Sequence, residues 1–303
     1  MSRLFEALQK SEPELSFDFP LAMQLTDELL KAAETESPQK QSEEFETRPR
    51  GKQDSALVPE LAQQFPSVPL TVKPDVRLVC LTQKDSLAAE KFRFLAVRLR
   101  QLQQSRSLKK LLVTSTIPEE GKSMISANLA LSLARKKRQR ILLVEGDLRR
   151  PTLYQSFGLR SLPGVSEWLK SGSSEVTNVY RFEEAGLWFF PAGSLPGNPM
   201  ELLQSARLAE LMEQLAVWFD WIVIDSPPIL PLADTSVWSR LADGILLVAR
   251  EGTTRKRELQ RGLDTLDHSK LLGMVLNSSD STDQSNYYQR YGPAQSAAQA
   301  KTE

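Results

Sequence analysis

Five short runs in the chain are apolar at consecutive positions: LLVTS (111–115), ILLVEGD (141–147), WIVIDSPP (221–228), ILLVA (245–249) and LLGMVLN (271–277). A strand with one wet face alternates apolar and polar residues, so unbroken runs this short imply strands buried on both faces. Helical spacing fills the gaps. Phe92, Leu95, Leu99 and Leu102 recur at threes and fours within a helix expected over 86–104, and further helices are expected over 122–136, 199–218 and near 254–268. LWFFPAG (187–193) adds a strand after a turn-rich stretch, and RLVCL (77–81) reads as a first strand. Doubly buried strands alternating with helices leave one class, α/β, with a mostly parallel central sheet flanked by helices on both faces.

This texture covers only part of the 303 residues. Residues 1–75 read as N-terminal helices and a disordered linker. Leu4, Phe5 and Leu8 share one face of a short helix, and a second helix is expected over 21–33. The polar stretch 34–56 has too few aliphatics to offset the entropy of ordering it. Residues 57–75, rich in Pro and Val, read as an extended lead-in. The α/β domain is expected over 76–280, and 281–303 as a disordered, tyrosine-containing tail. Lys+Arg equals Asp+Glu at 38 each, so the basic excess of nucleic-acid binders is missing. A single cysteine, Cys80, excludes an internal disulfide and fits a reducing compartment. No apolar run approaches the ~18 residues of a membrane span, and the first residues lack the apolar core of a secretory signal. A cytoplasmic location is expected. His268 and the basic run at 135–140 read as surface features.

The stretch TSTIPEEGKSMISANLA (114–130) follows a strand and opens a helix. Its Gly121-Lys122-Ser123 matches the end of the phosphate-loop pattern G-x-x-x-x-G-K-[ST], with Thr116 at the first glycine position. The chemistry requires backbone N–H groups converging on phosphate at a helix N-terminus. Pro118, Glu119, Glu120, Gly121, Lys122, Ser123 and Met124 form the candidate cradle. Gly121 permits close approach, Lys122 can reach the outer phosphates, and Ser123 can ligate Mg2+. An inward-facing glutamate would repel a polyphosphate, so Glu119 and Glu120 are expected to face solvent.

Two acidic strand ends accompany the loop. Asp225 closes an apolar strand in WIVIDSPP, where open α/β sheets bind ligands, and is a candidate metal ligand. LLVEGDLRRP supplies Glu145 and Asp147, which could serve a metal and a proton transfer, followed by Arg149, a candidate nucleotide-binding residue. A solvated acidic turn paired with arginine is the competing explanation for these two.

Together STIPEEGKS, LLVEGDLRRP and WIVIDSPPILPLADT resemble the motifs of the bacterial tyrosine kinases (BY-kinases) of capsule and exopolysaccharide synthesis, over roughly residues 78–291. That family has a Walker A loop ending P-G-E-G-K-S/T, a Walker A′ D-x-D-x-R and a Walker B ending D-x-P-P. The resemblance implies a P-loop NTPase fold using ATP and Mg2+, with autophosphorylation of C-terminal tyrosines. It assigns phosphate and metal binding to Lys122 and Ser123, the Walker B acid to Asp225, the Walker A′ positions to Glu145 and Asp147, and the acceptor role to Tyr287, Tyr288 and Tyr291. It also implies a membrane-embedded polysaccharide co-polymerase or activator as partner, placing the chain at the inner face of the membrane.

The sequence departs from the family pattern at several positions. Glu119 stands where the family usually has Gly, Glu145 replaces the first Walker A′ Asp, and Met124 follows Ser123 where Ser or Thr is usual. EKFRFLAVRLR (90–100) is similar to the family's E-x-x-R-x-x-R oligomerisation motif at Glu90 and Arg93, but its third position is Ala96. The alternatives are a P-loop ATPase switch of the partition or division-site type, whose signature lysine would fall at Ile117, and a degenerate ATP sensor.

Overall fold

The computed structural model describes residues 64–72, 76–136 and 139–278. The expected N-terminal helices, the linker and the three tail tyrosines lie outside the described residues.

Seven strands form one sheet: β1 (Lys110–Ser115), β2 (Ile141–Glu145), β3 (Tyr180–Phe182), β4 (Leu187–Phe190), β5 (Trp221–Asp225), β6 (Gly244–Arg250) and β7 (Leu271–Asn277). Their order is β3-β4-β2-β5-β1-β6-β7. All neighbours are parallel except β3 and β4. The helices in chain order are α1 (Val79–Thr82), α2 (Leu87–Ser105), α3 (Lys122–Ala134), α4 (Leu153–Ser156), α5 (Val165–Ser171), α6 (Pro199–Gln204), α7 (Ala206–Trp218), α8 (Asp234–Leu241) and α9 (Lys256–Asp264).

The apolar runs do what their composition dictates. Leu111, Val113, Ile141, Leu143, Trp221, Val223, Leu246 and Val248 join residues of α2 and α3 in one hydrophobic cluster. The alternate positions Leu112, Leu142, Ile222, Ile224 and Leu247 point the other way and are equally buried. α7 and α8 contribute nothing to the first cluster and pack against β5 and β1. Helices therefore cover both faces, and the carboxyl ends of the adjacent central strands β1, β5 and β2 lie side by side at one end of the sheet.

Three expectations are corrected. RLVCL runs into α1 (Val79–Thr82) and pairs with no strand. A short apolar run fits a helix turn as well as a strand, and here Asn128 of α3 fixes it: the Cys80 N–H donates to Asn128 Oδ1 (3.0 Å) and Asn128 Nδ2 donates to Arg77 O (2.9 Å). The helix expected over 199–218 is two helices, broken at Ser205, whose ψ of 144° is extended. The turn-rich stretch before β4 contains β3, which makes an antiparallel hairpin with it. The lead-in runs alongside that hairpin, with Val68 N–H donating to Arg181 O (3.0 Å) and Phe65 buried against Trp218.

Candidate functional site

Between β1 and α3 the chain turns through residues 116–121. Gly121 caps the helix with φ of 90° and no side-chain hydrogen bond. The N–H groups of the first helical turn have no carbonyl partner inside a helix, so α3 presents open donors and the positive end of its dipole. A Cβ on Gly121 would collide with the amide of Asn277.

The two glutamates of the loop behave differently. Glu119 is exposed and takes φ of 67°, in the left-handed region where glycine is unstrained. That explains physically why glycine suits this position. Glu120, expected to face solvent, is fully buried. Its Oε2 accepts the N–H groups of Thr116 (2.6 Å) and Ile117 (2.9 Å), and its Oε1 accepts the hydroxyl of Thr254. The carboxylate thus turns back into the start of its own loop and closes it where the pattern would have its first glycine. The loop is also held from outside: Asn277 Nδ2 donates to Glu120 O (2.9 Å) and Arg250 Nη1 to Glu119 O (3.3 Å). No local sequence signal points to Thr254, Arg250 or Asn277, because only the sheet order brings β6 and β7 beside this loop.

Lys122 Nζ lies 3.2 Å from Asp147 Oδ2 and 3.3 Å from Ser123 Oγ. Burial would lower the ammonium pKa, but the fields of Asp225, Asp147 and Glu145 outweigh it and the net shift is upward. Asp225 is almost fully buried, and β5 pairs with both β1 and β2. The Ser126 hydroxyl donates to Asp225 Oδ1 (3.2 Å). Burial raises the pKa of Asp225, opposed by Lys122. The structure therefore brings Lys122, Ser123, Asp147 and Asp225 together. Met124, Ser123 and Gly121 line a cleft of about 430 Å³ beside the loop, shared with Leu78, Asn277 and Arg250.

Glu145, expected to serve a metal and proton transfer, lies beside Asp225 in the β2–β5 register, but both its carboxylate oxygens are engaged by backbone N–H groups. Its Oε1 accepts the N–H of Leu153 (2.6 Å) at the start of α4, and its Oε2 accepts that of Ala192 (3.1 Å) after β4. The methylene that distinguishes it from aspartate gives it this reach. It acts as a buried tie between three elements. Burial, partly opposed by these N–H bonds, raises its pKa from 4.5 to about 7. A carboxyl raised in the folded state contributes most to stability below pH 4.5, and that contribution is lost as pH rises through about 7. Between pH 5 and 8 the wild type should therefore lose about 2–3 kcal/mol more than Glu145→Gln. Urea titrations of both proteins check this, and parallel pH profiles would refute it.

Arg149 pairs in a bidentate manner with the buried Asp234, Nε to Oδ2 at 2.7 Å and Nη2 to Oδ1 at 3.0 Å. In α2, Glu90 and Arg93 form an ion pair, Ala96 is buried, and Arg100 is tied to Leu133 O (2.8 Å) and Gln139 (3.1 Å). Arg100 thus anchors α2 inside the domain.

The residues present fit a magnesium–polyphosphate. The donor set at α3 is made of N–H groups, an ammonium and a hydroxyl, with glycine at the point of closest approach. Among the described residues no three of His, Cys, Asp and Glu gather to hold a metal. A cation at Ser123 and Asp225 would therefore complete its shell with phosphate and water oxygens, as Mg2+ commonly does.

This fold and site define a P-loop NTPase. No protein-family model matches the chain. It is 33% identical over 212 residues to the tyrosine-protein kinase YwqD of Bacillus subtilis, a match that covers 69% of this chain and 89% of the relative. It is 32% identical over 210 residues to the tyrosine-protein kinase ptk of Acinetobacter johnsonii, covering 69% of this chain but 28% of that longer protein. The solved kinase domain of the Escherichia coli tyrosine kinase ETK superposes with a TM-score of 0.63 at 25% identity, over 77% of this chain and 86% of that one. The VpsO kinase domain does so with 0.57 at 31% identity, over 65% and 98%. The chain belongs to the bacterial tyrosine-protein kinase family.

Proposed function

We propose that the chain is a protein-tyrosine autokinase that uses Mg-ATP and phosphorylates Tyr287, Tyr288 and Tyr291 of its own tail. The observation that carries this reading is the convergence of Lys122, Ser123, Asp147 and Asp225 at the uncapped start of α3. Bound Mg-ATP would supply the transferable phosphoryl group and the cation that neutralises its charge. The loop N–H groups and Lys122 hold the phosphates, while Ser123 and Asp225 hold the cation. Asp147 Oδ2 is ion-paired with Lys122; once the lysine engages phosphate, this oxygen is released to take the proton of the acceptor hydroxyl. Tyrosine, with a pKa near 10, gains from a positioned base. Phosphorylation adds about −1.5 to −2 charge per residue, which would drive a modified tail away from this acidic site.

By the same reading the kinase serves exopolysaccharide or capsule synthesis and works at the inner face of the membrane through a membrane-embedded activator. Among the described residues no helix is long and apolar enough to cross a membrane. The test is incubation of the purified chain with Mg-ATP, with and without the activator's cytoplasmic segment. Phosphotyrosine should form and disappear in the Tyr287/Tyr288/Tyr291→Phe triple variant, with ATP binding retained. ATP hydrolysis without phosphotyrosine would replace the kinase with an ATPase switch.

A further inference from the structure

Helix α8 touches the Walker A′ turn at two points one helical turn apart. Asp234, its first residue, holds Arg149 through two short hydrogen bonds, 2.7 and 3.0 Å. Trp238, four residues on and so on the same face, donates its Nε1–H to Gly146 O (3.1 Å). Both side chains are buried. Gly146 in turn donates its N–H to Asp225 O (2.7 Å), and a Cβ there would lie 2.9 Å from that oxygen and 3.0 Å from the Trp238 ring. The turn closes on itself through Asp147, whose Oδ1 accepts the N–H groups of Arg149 (3.2 Å) and Arg150 (3.0 Å), leaving Oδ2 toward Lys122.

We infer that Asp234 and Trp238 are positioning residues for phosphoryl transfer: they fix the 146–149 turn and thereby aim the Asp147 carboxylate. Neither side chain makes a hydrogen bond to the phosphate loop, so their effect should fall on the chemical step and spare nucleotide binding. The glycine at 146 follows from the same geometry, because the indole and the β5 carbonyl leave no room for a side chain. This inference rests on the kinase reading above.

The test uses the full chain and four proteins: wild type, Asp234→Asn, Trp238→Phe and Arg149→Gln. Arg149→Gln removes the same ion pair from its exposed side, and Asp234→Asn removes it without leaving a buried charge uncompensated, so folding is least at risk in Asp234→Asn. Turnover is read as both phosphotyrosine and released phosphate, alongside ATP affinity and thermal midpoint. Displacing a catalytic group by about 1 Å can cost ~10²-fold. Each variant should therefore lose ~10–100-fold in kcat, with KM for ATP within about threefold of wild type. Unchanged kcat, or a loss that follows weakened ATP binding or a lowered midpoint, overturns the inference. Wild-type phosphate release without phosphotyrosine sinks the kinase reading alone, and the positioning roles are then judged on phosphate release. No turnover of either kind in the wild type overturns both.

Discussion

Replacing Lys122 with alanine should lower ATP turnover by ~10²–10³-fold, the usual loss when one preorganised donor to developing charge is removed. It should also destabilise the protein, for a separate reason. Lys122 is the counter-charge of Asp147 and Asp225, which are 4% and 1% exposed. Removing one partner of a buried ion pair costs about 3–5 kcal/mol, because the other charge is left uncompensated. Without the lysine the pKa of Asp225, already raised by burial, rises further. The variant's deficit should then be greatest at alkaline pH and shrink on acidification. Adding Asp147→Asn to Lys122→Ala separates the two effects: part of the lost stability returns and none of the turnover does. Phosphate release and urea denaturation measure both. Wild-type turnover in Lys122→Ala would remove the lysine from the phosphate site.

What could be read from the sequence was whatever depends on local pattern. WIVID and ILLVE became the central strands β5 and β2, as unbroken apolar runs set between helical patterns suit a sheet covered on both faces. Gly121, Lys122 and Ser123 lie where a strand–loop–helix must place them, at the start of α3. Directions of side chains were not legible. Glu120 and Glu145 are both glutamates beside a phosphate-type loop, yet each spends its carboxylate on distant or upstream N–H groups. Only the fold supplies those partners. The braces Thr254 and Asn277 lie 134 and 157 residues from the loop residue they hold. Arg149 and Asp234 are separated by 85 residues. RLVCL was misread because its apolar run fits a single helix turn, and Asn128 decides the matter from another element.

The fate of Glu120 yields the second large effect. Glu120→Ala should strip the loop of its internal acceptor, leaving the N–H groups of Thr116 and Ile117 without a partner. Each unsatisfied buried donor costs about 1–3 kcal/mol, which the loop can relieve only by opening. ATP affinity should then fall by ~10²-fold, since about 2.7 kcal/mol corresponds to that factor, while the core of the sheet stays folded. Glu120→Gln separates acceptor from charge. Both N–H groups converge on one oxygen, Oε2. A glutamine carbonyl can take that place and turn its NH2 toward the Thr254 hydroxyl oxygen. The glutamine variant should therefore keep the loop closed and, relieved of a negative charge near the phosphates, bind ATP at least as tightly as wild type. Nucleotide titrations of the two variants decide it. If alanine binds like wild type, the loop does not depend on this brace. If glutamine fails as badly as alanine, the carboxylate's charge is what matters, and Glu120 faces a cation when the nucleotide is bound.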